Sequence, residues 1–110
     1  MADTLKTLGQ SFPSGNTLTS LYTVPGSTSA AVSSIVVCNQ SSTSSCRIRV
    51  SVAIAAEADS SKQYIVYDAI IAPNETKAFV IGVTLATTDV VRVQSDSGTA
   101  SFNLFGAEVS

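Results

Sequence analysis

Between residues 46 and 54 the chain alternates strictly. Cys46, Ile48, Val50, Val52 and Ile54 occupy one parity, and Arg47, Arg49, Ser51 and Ala53 the other. Alternate side chains fall on opposite sides only in an extended chain, so this segment is a strand with one face on a core and one toward water. A sheet with one apolar face needs a second layer to cover it.

The same kind of segment recurs along the chain. Residues 18–24 end at Pro25-Gly26, a tight-turn pair. Residues 31–39 carry Ile35-Val36-Val37-Cys38, apolar on both parities, and residues 62–72 are similar. Both are expected to be central strands covered on two sides. Pro73-Asn74-Glu75 precedes residues 76–83, and Asp96-Ser97-Gly98 separates residues 89–95 from residues 99–109. A weaker strand is expected near Leu5–Gly9. Such spacing of strands and turns predicts an all-β fold: an antiparallel β-sandwich, jelly-roll or immunoglobulin-like, with seven or eight strands. Ser41-Ser42-Thr43-Ser44-Ser45 reads as a hairpin tip, and residues 84–88 as a crossover between sheets. Residues 53–59 have helix propensity but follow a patterned strand, so they read as strand end and then loop or single turn.

The 110 residues make one domain, large enough to bury roughly two thirds of its unfolded surface. Residues 17–110 are expected to form the sandwich, and residues 1–16 an arm or short edge strand in which Leu5, Leu8 and Phe12 offer something to bury. In the last strand Phe102 and Leu104 share one parity, and Phe105, Ala107 and Val109 the other. Either Gly106 marks a register-shifting bulge or both faces are buried, the second case implying a subunit contact. Leu5, Leu8, Phe12, Phe105, Ala107 and Val109 are therefore the candidate subunit contacts.

Charged residues are only 13% of the chain, about half the usual share, and net charge is −2. A surface poor in charge repels neighbours weakly and suits packing against other proteins. The six basic residues are scattered, so nucleic acid is not an expected partner. The N-terminus has no signal pattern and no apolar stretch is long enough to span a bilayer, so no membrane role is expected.

Histidine is absent, which removes the commonest general base, the usual nucleophile triads and a common metal ligand. Two cysteines alone make no zinc site, and the glycines have no phosphate-cradling spacing. Glu57 and Asp59 are the nearest approach to a carboxylate pair. The aromatic platforms normal in a glycosidase are lacking, and a calcium loop needs more oxygen ligands. These acids, with Asp68, Glu75, Asp89 and Asp96, read as solvated turn residues. No enzyme activity, cofactor or metal is expected. Cys38 and Cys46, facing one another across the expected hairpin, read as buried reduced thiols. The sequon patterns at Asn39 and Asn74 carry little weight in a chain rich in Ser and Thr.

Several stretches, taken in order, resemble small all-β virion structural proteins of tailed bacteriophages. They are Leu21-Tyr22-Thr23-Val24-Pro25-Gly26-Ser27, Val32-Ser33-Ser34-Ile35-Val36-Val37-Cys38-Asn39, Tyr64-Ile65-Val66-Tyr67-Asp68, Ile81-Gly82-Val83-Thr84-Leu85-Ala86 and Gly106-Ala107-Glu108-Val109-Ser110. The resemblance runs from about Leu8 onward, and Cys46 departs from it. It implies a non-catalytic β-sandwich in the virion, synthesised in the host cytoplasm. The role implied is head decoration (cement), with a neck, tail or fibre component, including one that binds a receptor or glycan, as the alternative. Partners would be the major capsid protein or neck and tail proteins, with the chain itself a homo-oligomer, a trimer favoured.

Overall fold

The computed structural model describes residues 3–110 as two antiparallel sheets packed into a β-sandwich. The strands are β1 (Asp3–Ser11), β2 (Thr19–Thr23), β3 (Ser29–Asn39), β4 (Cys46–Ala53), β5 (Tyr64–Ile71), β6 (Thr76–Phe79), β7 (Val83–Leu85), β8 (Val90–Ser95) and β9 (Ala100–Val109). The five-stranded sheet has the order β1-β9-β3-β6, with β7 also on β3, and the four-stranded sheet the order β2-β8-β4-β5. Only β4–β5 and β6–β7 stay within a sheet; every other connection crosses between the layers. Among the described residues helix is limited to two single 3-10 turns, Ile54–Ala56 and Ser61–Gln63.

Nine strands replace the expected seven or eight, because residues 76–83 break in two. Phe79 pairs with Ile35 and Val83 with Val32, while residues 80–82 pair with nothing. Opposite this break β3 carries a bulge at Ser33, which turns both Ser33 and Ser34 away from the core and interrupts the ladder.

The alternation of β4 holds through Val50: Cys46, Ile48 and Val50 are buried with Val93 of neighbouring β8 and with Val37, Phe102 and Leu104 of the facing sheet. Each fully buried side chain of this kind contributes about 1.5–3 kcal/mol. The expected hairpin between β3 and β4 does not exist, because the two strands lie in different sheets. Residues 40–45 cross the sandwich, and Asn39, fully buried, anchors the crossing. Its amide NH2 donates to the carbonyls of Ser44 (2.8 Å) and Ile71 (3.1 Å), and its Oδ1 accepts from Ser41 N–H and the Thr99 hydroxyl.

Two other expectations change. β3 is central, but Val36 and Cys38 on its outer side are half-buried rather than covered. β5 is an edge strand with Ile65, Tyr67 and Ile70 exposed. Its doubly apolar sequence is explained by a bulge in which Tyr67 and Asp68 oppose the single residue Arg49, with Asp68 at φ 55°.

In β9 the bulge expected at Gly106 is absent. The bulges sit on the two flanking strands, at Leu8 of β1 and Ser33 of β3, and β9 runs straight between them. Gly106 is needed because a Cβ there would lie 2.2 Å from the Ala31 carbonyl oxygen.

Candidate interaction surface

Most of the acidic side chains are occupied as structural braces. Asp89, expected in solvent, is 8% exposed, and its carboxylate accepts the backbone N–H groups of Ala55 and Ala86, both at 2.9 Å. Glu75 accepts Ala72 N–H, and Asp96 accepts Arg47 N–H. Glu57 accepts from Gln63 and Lys62, which hold its carboxyl below the usual range, and Asp59 accepts from the Tyr64 hydroxyl. Glu57 and Asp59 therefore serve one loop rather than flanking a cleft. Among the described residues no three potential metal-ligating side chains gather. Glu108 joins the sheets: it accepts the hydroxyl of Tyr22 from β2 and pairs with Lys6 at 3.3 Å. Burial first, then this bond, pushes the Tyr22 hydroxyl well above its ordinary pKa, and Glu108 is held low.

Cys38 and Cys46 do not face each other. Cys38 lies between Thr76 and Ser101 in one sheet, and Cys46 opposite Ile71 in the other. Both are free; Cys46 is buried, which raises its thiol pKa, while Cys38 is half-buried. Asn39 spends its amide on the crossover, which closes the first sequon to modification.

The distinctive surface is the outer face of the five-stranded sheet. Directly paired residues in an antiparallel sheet point the same way, so the ladders define rows on this face. One row is Leu5, Ala107, Ala31 and Thr84; the next is Thr7, Phe105 and Ser34; the third is Gln10, Asn103, Val36 and Ala78. Asp3, Val109 and Ser29 close one end, and Ser101, Cys38 and Thr76 the other. Asp3 is the one ionisable carboxylate in these rows, and they contain no Lys or Arg. Leu5 is 86% exposed.

Four of the six sequence candidates thus share this face: Leu5, Phe105, Ala107 and Val109. Leu8 does not: three residues from Leu5, it falls on the opposite face by alternation and is buried in the core at 8% exposure. Phe12 is 56% exposed just past the end of β1, beside Ser101 and Asn103. Sequence reasoning missed Ala31, Val36, Ala78 and Thr84, which join the face only through strand pairing. The one available signal is the apolar second parity of residues 31–39, whose pattern alone points to the interior.

The four-stranded sheet presents the opposite surface. Arg49 donates to Asp68 at 2.6 Å and lies 4.2 Å over the Tyr67 ring, which Tyr64 meets edge-on. The Arg49 guanidinium holds the Asp68 carboxyl low. A strap of residues 54–63 covers one end of this face, pinned by Arg92 donating to the Glu57 carbonyl and by Gln63 donating to the Ala58 carbonyl. Beneath it the outward-parity residues Ser51, Ala53 and Val90 are buried.

No family model and no curated protein matches the chain. Among solved structures, one of the infectious bursal disease virus Gx strain superposes at TM-score 0.55 with 8% identity, over 97% of this chain and 32% of that one. The likeness shows a shared β-sandwich fold. A pentameric capsid protein isolated from metagenomic phage sequences aligns at TM-score 0.43 and 15% identity, over 93% of this chain and 59% of that one. A second structure of a protein so described, solved by iodide phasing, aligns at TM-score 0.42 and 15% identity, over 93% and 60%. This chain spans about a third of the first and three fifths of the others.

Proposed function

We propose that the chain is a non-enzymatic structural protein of a virus particle: a decoration protein of a tailed-phage head that binds the major capsid lattice as a closed homo-oligomer. The observation that carries this reading is the nearly charge-free outer face of the five-stranded sheet, a surface suited to being covered by protein. Three further points support it. We read the strand order β1-β9-β3-β6 over β2-β8-β4-β5 as the winding of a jelly roll, an architecture found in capsid and lectin domains. The viral structure sharing the sandwich is consistent with that setting, and so is the resemblance to phage virion proteins. The acids serve as braces, leaving none free in a cleft for proton transfer.

The test is co-sedimentation of the purified chain with isolated capsids and with whole particles. Saturable binding to capsids is the expected result. Binding to tails or necks alone would move the chain to the second role, and indifference to every particle would end the virion reading. One feature favours a receptor- or glycan-binding neck or tail component: Tyr67 is 62% exposed beside Arg49, while Tyr22 is buried. Glycan-array binding lost in Tyr67→Ala would establish that second reading.

A further inference from the structure

We infer that the outer face of the five-stranded sheet seats a second copy of this chain, the two sheets stacking face to face about a twofold axis. The inference rests on the structural-subunit reading for its biological setting and names the partner that reading left open.

Charge selects the occupant. An average protein surface carries Lys, Arg, Asp and Glu, and pressing it onto these rows would strip those groups of water with no opposite charge to meet them. A second copy of the same face brings no cation, and its one carboxylate, Asp3, sits at the far end where it stays wet. The face is thus better matched to itself than to a charged surface.

Shape selects the symmetry. Leu5 and Phe105 stand on β1 and β9, at one side of the sheet, while Ala31, Ser34, Ala78 and Thr84 lie across β3, β6 and β7. A twofold axis lying between the sheets along the strands puts the bulky side of one copy over the small side of the other. Packed sheets sit about 10 Å apart, close enough for Leu5 and Phe105 to interdigitate with the alanines. Such a contact is isologous and closes at two copies, so the unit is a dimer rather than the trimer favoured from sequence.

Area permits it. Four strands about 4.8 Å apart and about ten residues long present roughly 600 Å² per copy, or roughly 1,200 Å² in the pair. That is the lower bound of specific interfaces, of which about 800 Å² per partner is typical.

The test is sedimentation equilibrium of the purified full chain. We expect twice the 11.3 kDa chain mass, falling to the monomer mass in Ala31→Arg, which sets a cation at the middle of the face. Circular dichroism checks that this variant folds, and Ser34→Arg replaces it if it does not. Arg47→Glu, on the opposite sheet, should remain dimeric. A monomeric or trimeric wild type, or a dimer that survives a folded arginine variant, would overturn the inference. The same preparations are tested on capsids: a monomer that binds them defeats the dimer and spares the virion role, whereas a dimer that ignores all particles does the reverse.

Discussion

The outer face of the four-stranded sheet is covered at one end by its own chain, whereas the outer face of the five-stranded sheet is open along its rows. Ser51, Ala53 and Val90 would be exposed but for residues 54–63, which fold over them. Covering has a local cost: Ala55 and Ala56 both sit at positive φ, 53° and 58°, which disfavours a side chain by about 1–2 kcal/mol each. Among the described residues no such strap crosses the rows of the five-stranded sheet, where Leu5 stands 86% exposed. In the dimer proposed above, the open face is covered by a second copy instead. The comparison separates two kinds of substitution. On the covered face they should lower the stability of the single chain; on the bare face they should change association instead.

The largest effect is expected where the covered face is fastened. Asp89 binds the strap through Ala55 N–H and the crossover to β8 through Ala86 N–H. Asp89→Ala leaves both donors without a partner in a nearly buried place, at about 1–3 kcal/mol each. Urea denaturation should show a loss of about 3 kcal/mol. A loss below about 1 kcal/mol, within the range of ordinary surface changes, would mean that the strap is held by something else.

An intermediate effect is expected from acid. Arg49 holds the Asp68 carboxyl low on the covered face, and Tyr22 first, then Lys6, does so for Glu108 between the sheets. A carboxylate whose folded pKa lies below its unfolded value contributes stability that is complete above the unfolded value and lost as pH falls through the folded one. The unfolding midpoint should therefore hold from neutrality to about pH 5 and fall below about pH 4. Arg49→Ala should flatten part of that limb. Thr84→Ser, on the bare face, should leave it unchanged. An unaltered limb in Arg49→Ala would show that this pair does not brace the covered face.

Much of the sandwich was legible in the sequence because period two is a local signal. Cys46, Ile48 and Val50 point inward as their spacing requires, and Pro25-Gly26 and Asp96-Ser97-Gly98 end strands. What the spacing cannot carry is which strand lies beside which. A seven-residue connection between Cys38 and Cys46 reads as a hairpin from length alone; its true path depends on Asn39 reaching Ile71, which is distant in sequence. Bulges hide in the same way. Leu5 and Leu8 part by alternation alone, but Gly9 joins Leu8 on the inner side and Gln10 returns to the outer face through an extra residue in β1 that only the pairing with β9 reveals. The candidate surface was half visible: Leu5, Phe105, Ala107 and Val109 stand out within their own strands, but Ala31 lies on a strand whose doubly apolar pattern reads as internal, and Ala78 and Thr84 join the face only through pairing with β3.

The smallest effect is expected from Leu5→Ser, and its smallness is the point. Leu5 is 86% exposed on edge strand β1, so removing it opens no cavity, and the dilute chain should change by no more than about 0.5 kcal/mol. A residue that contributes only to a dimer adds stability by mass action, which grows with protein concentration. Thermal unfolding of the wild type should therefore rise in midpoint from dilute to concentrated samples, while that of Leu5→Ser stays nearly flat. Parallel curves at every concentration would mean that Leu5 touches no second copy. A fall already present at high dilution would mean that β1 leans on Leu5 within its own sheet, and that the bare face is less bare than its exposure implies.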